Sequence, residues 1–130
     1  MGNSLYVPKY KTSEYTKIRP GKFSYKIDNS NVYWRGQKIH ADGKTFINLN
    51  SGYGIDDKNV FWKGKKLNIY NEEKYNFISF KYGYAKTNTN VYYRGHIIKA
   101  DPKTFKINKY NKPVDSKYVY KLGKRNYEII

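Results

Sequence analysis

Apolar and aromatic residues recur along the chain in a short phrase that is written three times. The phrase is NVYWRG at 31–36, NVFWKG at 59–64 and NVYYRG at 90–95. Each copy places a β-branched residue and two aromatic residues, which favour strands, before a cation–glycine pair that can form a tight turn. An aliphatic residue follows seven places after each valine. The pattern predicts three β-hairpins, each closed by a two-residue turn.

The hairpins are expected around residues 31–41, 59–69 and 90–100. A two-residue turn would set the strand register. The aliphatic pairs that then face each other are Val32 with Ile39, Val60 with Leu67, and Val91 with Ile98. A longer loop would shift this pairing, and Arg or Lys at the first position of such a turn is unfavourable. The register is therefore the prediction most exposed to error.

The same register divides the aromatic residues between two faces of each hairpin. Rings two residues beyond the valine should share the buried aliphatic face, and these are Trp34, Trp62 and Tyr93. Rings one residue beyond the valine should point the opposite way, and these are Tyr33, Phe61 and Tyr92. We expect Trp34 and Trp62 to be buried, so that truncating either to alanine costs about 3–5 kcal/mol.

Further residues extend the repeat beyond the hairpin. Tyrosines stand six places before each asparagine, at Tyr25, Tyr53 and Tyr84. The first and third copies share a second phrase, ADGKTF at 41–46 and ADPKTF at 100–105, which the middle copy lacks. We expect this phrase to form a single helical turn with Asp101 as its N-cap. Spacings of 28 and then 31 residues are typical of repeat architectures.

The sequence thus predicts one all-β domain of tandem β-hairpin repeats in antiparallel sheets, with short helical turns only. A degraded fourth start at 115–120 could act as a terminal cap. The predicted organisation of residues 1–130 is a lead-in 1–23, repeats at about 24–52, 53–81 and 82–110, and a degenerate terminal unit 111–130.

The segment DKNVFW at 57–62 with its following glycine, together with the downstream ADPKTF, resembles the DKNYY family of bacterial repeat proteins. The resemblance covers roughly residues 24–110. The Asp-Lys pair is intact only in the middle copy, since the first copy has Asn29-Ser30-Asn31 and the third Asn88-Thr89-Asn90. The resemblance implies a bacterial or phage origin and β-rich repeats, and it implies no activity.

Charge is the strongest compositional signal. The chain has 26 Lys and Arg against 10 Asp and Glu, a net charge of +16, which favours binding to polyanions. Codon usage in an AT-rich genome is an alternative origin of this charge, because 22 of the cations are lysine. Attraction to an acidic protein is a third interpretation. The absence of cysteine excludes disulfides and thiol chemistry.

Targeting and catalytic signals are few. No apolar run reaches the length of a membrane span and no leader precedes the repeats, so we expect a cytoplasmic protein. His40 and His96 stand at different repeat positions, which favours unrelated surface histidines. The acidic doublets 56–57 and 72–73 lack the spacing of a calcium loop. We expect no enzymatic activity, no metal and no cofactor.

The remaining candidate chemistry is a surface of alternating cations and rings, as single-stranded nucleic acid would need. The candidate binding residues are Arg35, Lys38, Lys63, Lys65, Lys66, Arg94, Tyr33, Phe61 and Tyr92. An alternative is that the three rings pack against a neighbouring repeat.

Two functions therefore compete. The first is a small basic protein that binds RNA or a ribonucleoprotein, for example a phage anti-defence inhibitor. The second is a repeat module, such as an immunity protein, that binds an acidic protein or an envelope polymer.

Overall fold

The computed structural model describes residues 11–12, 25–49, 51–69 and 71–129. In the first half the strands are β1 (Lys11–Thr12), β2 (Tyr25–Asp28), β3 (Asn31–Trp34), β4 (Gln37–Ile39), β5 (Ile47–Asn48), β6 (Tyr53–Ile55), β7 (Val60–Trp62) and β8 (Lys65–Lys66). A short helix α1 (Asn71–Lys74) and a 3₁₀ turn (Lys81–Gly83) flank β9 (Ile78–Ser79). The later strands are β10 (Tyr84–Lys86), β11 (Val91–Tyr93), β12 (His96–Ile98), β13 (Lys106–Ile107), β14 (Pro113–Val114), β15 (Tyr118–Lys121) and β16 (Lys124–Glu128).

The strands form four small sheets in chain order, which we call units 1 to 4. Unit 1 is β2-β3-β4, unit 2 is β5 to β8, unit 3 is β9 to β12, and unit 4 is β13 to β16. Neighbouring strands within each unit are antiparallel, and β1 adds to unit 3 by pairing parallel with β9. The all-β fold of tandem hairpins is therefore confirmed. No helix in the described ranges is long or apolar enough to cross a membrane.

The predicted register of the three hairpins is confirmed. Val32 pairs with Ile39, and Val91 pairs with Ile98. In the middle copy, the Leu67 N–H donates to the Val60 carbonyl at 2.8 Å. The aliphatic pairs therefore face each other in all three units.

The hairpin turns are two-residue turns with positive φ at both positions, as in type I′. Their φ angles are 51° and 83° at Arg35-Gly36, 49° and 83° at Lys63-Gly64, 51° and 82° at Arg94-Gly95, and 52° and 80° at Leu122-Gly123. A left-handed backbone costs an ordinary residue about 1–2 kcal/mol. This cost falls on four turns, each of which joins its strands through two residues and so keeps the register.

The predicted helical turn between units is also confirmed. The Asp101 carboxylate accepts the Lys103 N–H at 3.0 Å, and the Phe105 N–H donates to the Asp101 carbonyl at 2.9 Å. In the middle copy α1 takes the place of this turn. The additional residues of α1 account for the longer spacing of 31 residues.

Hydrophobic cores lie between successive units, with one linker phenylalanine in each core. The linker rings are Phe46, Phe77 and Phe105. Phe61 of unit 2 belongs to the core shared with unit 1, and Tyr92 of unit 3 belongs to the core shared with unit 2. The inner sheets are therefore covered on both faces, which corrects the prediction of a single buried face.

A tyrosine hydroxyl fastens each unit to the next one. The Tyr53 hydroxyl donates to the Gly83 carbonyl at 2.9 Å and accepts the Gly95 N–H at 2.9 Å. The Tyr25 hydroxyl makes the same two bonds to Gly52 and Gly64. Desolvation by burial raises the pKa of the Tyr53 hydroxyl well above its ordinary value, although the bond from Gly95 opposes part of that rise. The hydroxyl therefore stays protonated and can bridge two turns of the following unit.

A buried aspartate forms a second connection at the first and last junctions. Asp56 accepts the backbone N–H groups of Asp42, Lys58 and Asn59, at 2.9, 2.9 and 2.7 Å. At the last junction the Asp115 carboxylate accepts backbone N–H groups in the same way. Burial acts to raise the pKa of Asp115, but bonds from the Tyr120 hydroxyl and from backbone N–H groups hold it below the ordinary value.

Unit 4 lacks the side chains with which the earlier units hold their successors. The bridging tyrosine is replaced by Lys112 and the ring beside the turn by Lys121. Asn126 stands seven places after the valine, and a register shift makes Tyr127 the residue that pairs with Val119. These polar replacements fit a terminal unit, because capping repeats of solenoids present a polar outer face.

Candidate nucleic-acid interface

The second, third and fourth hairpin turns each pack on a ring of the preceding unit. A Cβ atom added to Gly64 would lie 3.0 Å from Trp34, and one added to Gly95 would lie 3.0 Å from Trp62. At Gly123 the same atom would lie 2.5 Å from Tyr93. Only glycine allows this approach, so the turns line up as one row. We call this row, residues 34–36, 62–64, 93–95 and 122–124, the turn ridge.

Two cations of the ridge share one indole ring. The Lys63 Nζ lies 4.8 Å from the centroid of Trp62, and the Arg94 Cζ lies 5.7 Å from the same centroid. The separation between the Lys63 Nζ and the Arg94 Cζ therefore cannot exceed the sum of these two distances. Attraction to the ring face contributes about 0.5–1 kcal/mol per contact at an exposed site. The indole thus contacts two positively charged side chains, one from its own unit and one from the next.

The third predicted cation belongs to the same row. Arg35 follows Trp34, and Trp34 supports the Lys63-Gly64 turn. All three side chains, at Arg35, Lys63 and Arg94, are exposed. The structure therefore brings the three predicted turn-tip cations together.

The other predicted lysines divide between two faces. Lys65 pairs with Trp62 across the hairpin, which places it on the ridge face. Lys38 pairs with Tyr33 and Lys66 pairs with Phe61, as predicted, so these two lysines lie on the opposite face. All of these lysines are exposed. Lys65 therefore lies next to the turn ridge and on the same face, whereas Lys38 and Lys66 lie on the other face.

The predicted stacking rings are corrected by the structure. Phe61 is 2% exposed, and its ring centroid lies 6.1 Å from that of Phe46. Tyr92 is 4% exposed, and its ring centroid lies 6.3 Å from that of Phe77. Rings buried between two sheets cannot stack on a base. Tyr33 is half-buried. The alternative of packing against a neighbouring repeat is thus correct for Phe61 and Tyr92.

The rings that lie beside the ridge cations are the three that the sequence predicts on the buried aliphatic face. Trp34, Trp62 and Tyr93 are only half-buried, so the prediction that the two tryptophans are buried is wrong. Each ring has a turn packed on one side and keeps part of its surface open. Truncation of these tryptophans should therefore cost less than burial in a core would imply.

Sequence reasoning missed the fourth turn of the ridge. It carries Leu122 where the other turns have a cation, and Lys124 follows two residues later. The spacing from Val119 to Gly123 equals that from Val91 to Gly95, which is a usable signal. The ridge therefore extends one turn further than the predicted row.

Titratable groups elsewhere do not assemble into a metal site. Within the described ranges, no three His, Asp or Glu side chains lie close enough to hold a metal ion. His40 and His96 are both exposed. The absence of enzymatic activity remains an expectation.

Comparison with protein families places the chain in a known family. The DKNYY family model matches residues 23–124. No curated protein and no solved structure matches the chain. The matched range contains all four turns of the ridge, and so extends the resemblance beyond the three complete copies of the phrase.

Proposed function

Because the chain belongs to the DKNYY family and this membership assigns no activity, we propose a function from the turn ridge: the protein binds single-stranded nucleic acid, RNA in particular. The observation that carries the proposal is the row of Arg35, Lys63 and Arg94 alternating with half-buried rings. Cations attract phosphates, and aromatic side chains stack on bases of any sequence. RNA is favoured because its loops and ends present unstacked bases.

The backbone at the turns supports this choice of residues. Asparagine is the favoured residue before glycine in a type I′ turn, and it would relieve the left-handed strain at each site. Three turns nevertheless carry Arg or Lys. Strain retained at a surface position is a feature of functional sites.

The distribution of acidic residues also supports the proposal. The chain has 10 acidic residues, and two of them, Asp56 and Asp115, are buried at unit junctions. Their charges are compensated by hydrogen bonds inside the fold. Lys74 is also buried, so burial within the described residues withdraws two negative charges and one positive charge, and the exposed charges remain mostly those of lysine and arginine. An inhibitor that occupies the RNA channel of a nucleic-acid-handling complex, such as an anti-defence protein, would need this surface.

The test is a variant with Arg35→Asn, Lys63→Asn and Arg94→Asn. It loses three ridge cations but gains the residue that the turns favour, so we expect the fold to be retained, which circular dichroism checks before binding is compared. Removing one cation that binds a phosphate flattens the slope of log affinity against log salt by about 0.7–0.9. We expect the slope for a short single-stranded RNA to flatten by roughly two units.

A matched control removes the same charge from the other ends of the strands, through Lys44→Gln, Lys58→Gln and Lys103→Gln. These lysines are exposed and lie in or beside the aspartate-capped turns. The control should keep the slope of the unmodified protein. If both variants flatten the slope equally, net charge and not the ridge binds RNA. If the unmodified protein does not bind RNA, an acidic protein partner becomes the better explanation of the charge.

A further inference from the structure

An open recess interrupts the turn ridge between its third and fourth turns. It has a volume of about 280 Å³, and Trp62, Tyr93, Arg94, His96, Leu122 and Lys124 contribute to its lining. This is slightly below the ~300–1,000 Å³ of pockets for small molecules, so the recess suits a single ring system.

The lining combines an apolar floor with positive charge at the rim. Trp62 and Tyr93 contribute half-buried rings, while the two cations Arg94 and Lys124 are exposed, with His96 beside them. No acidic residue lines the recess. The complementary occupant is therefore a flat, uncharged ring with negative charge attached on its outer side.

Leu122 is the residue that sets this recess apart from the rest of the ridge. It is 71% exposed and has a φ of 52°, although Asn, Asp or Gly would suit the turn better. A leucine side chain that stays exposed to water contributes almost no hydrophobic stabilisation to the fold. At the mouth of the recess, it offers an apolar contact where the other turns offer a cation.

We infer that this recess receives one nucleobase of a bound single strand, with the flanking phosphates at Arg94 and Lys124. The inference rests on the proposed function and adds a site to it. The three turn cations bind the backbone regardless of base, and the recess adds an enclosed site for one base to the open ring faces along the ridge. Contact between a base and an aromatic or apolar lining tolerates any sequence, so no base specificity is expected from it.

The test compares oligouridine of about 12 nucleotides with an abasic ribose-phosphate strand of the same length and charge. We expect the unmodified protein to bind oligouridine about tenfold more tightly, because only that strand can fill the recess. Leu122→Asn keeps the charge and favours the turn. It should reduce this preference toward equal affinity, and binding of the abasic strand should not change.

Ile97→Thr is the matched control, because Ile97 is 60% exposed and does not line the recess. It should keep the tenfold preference. A second readout uses Trp34→Phe, which leaves Trp62 as the only tryptophan. The Trp62 fluorescence should change more with oligouridine than with the abasic strand, because phosphate binding at Lys63 and Arg94 is common to both strands and only a base can contact the ring.

The outcomes separate the two proposals. A Leu122→Asn variant with its preference intact overturns the recess and leaves the ridge standing. Equal binding of both strands by the unmodified protein overturns every base contact, in the recess and on the ridge rings, and leaves only phosphate binding by the ridge cations. Failure to bind either strand overturns both.

Discussion

Replacing Asp56 with alanine is expected to lower the free energy of unfolding by about 3 kcal/mol or more. The Asp56 side chain is 3% exposed and accepts three backbone N–H groups, one of them from Asp42 in the linker between units 1 and 2. A donor left without a partner in a buried site costs about 1–3 kcal/mol. The loss should appear as a lower midpoint in urea unfolding followed by circular dichroism.

Asp28→Ala is the matched control. Asp28 occupies the same position in unit 1, four residues before the valine, but its side chain is exposed. We expect its replacement to cost less than about 1 kcal/mol, as is usual at the surface. Equal losses in the two variants would show that Asp56 acts as an ordinary turn residue and not as a link between units.

Phe77→Ala is expected to cost about 3–5 kcal/mol, a large part of the stability of a small domain. Phe77 is fully buried, with its ring centroid 5.4 Å from that of Tyr53 in unit 2 and 6.3 Å from that of Tyr92 in unit 3. Its removal leaves a cavity between two sheets that are held apart by the other side chains of the core. Urea unfolding again measures the loss.

Tyr110→Ala serves as the control for Phe77, since it removes an aromatic ring that is 69% exposed. We expect a change within about 0.5 kcal/mol. A Phe77 variant as stable as this control would contradict the view that linker phenylalanines join the units.

The hairpins could be predicted from the sequence because their information is local. Strand, turn and register are determined within ten residues by a valine, two rings, a cation and a glycine. The register at Val32 and Val91 is as expected. The capped turn at Asp101 is local in the same sense. Short-range hydrogen bonds and turn preferences determine both features.

The faces of the hairpins could not be predicted from the same pattern. Alternation distinguishes two faces, but the inner sheets are covered on both. The pattern therefore predicts Phe61 at the surface, although it lies in the core shared with unit 1. Which aromatic ring of a hairpin keeps solvent-exposed surface depends on how the neighbouring unit packs against it. The sequence of a single hairpin does not specify this packing.

The bridging tyrosines show the same limit. Alignment of the repeats identifies Tyr25, Tyr53 and Tyr84, but their partners are far along the chain. The Tyr53 hydroxyl accepts the N–H of Gly95, 42 residues away. Such a bond becomes visible only when the units are stacked. It also explains why the turn cations form a row, since each tyrosine fixes the position of the next turn.

The most direct test of the ridge is a backbone amide chemical-shift titration of the protein with a short single-stranded RNA. We expect the largest changes at the turns of residues 35–36, 63–64 and 94–95, and small changes at the aspartate-capped turns of residues 56–59 and 115–118. The binding site would then coincide with the row that the tyrosine bridges and glycine contacts align. Changes concentrated at the aspartate-capped turns, or spread evenly over the exposed lysines, would contradict the account.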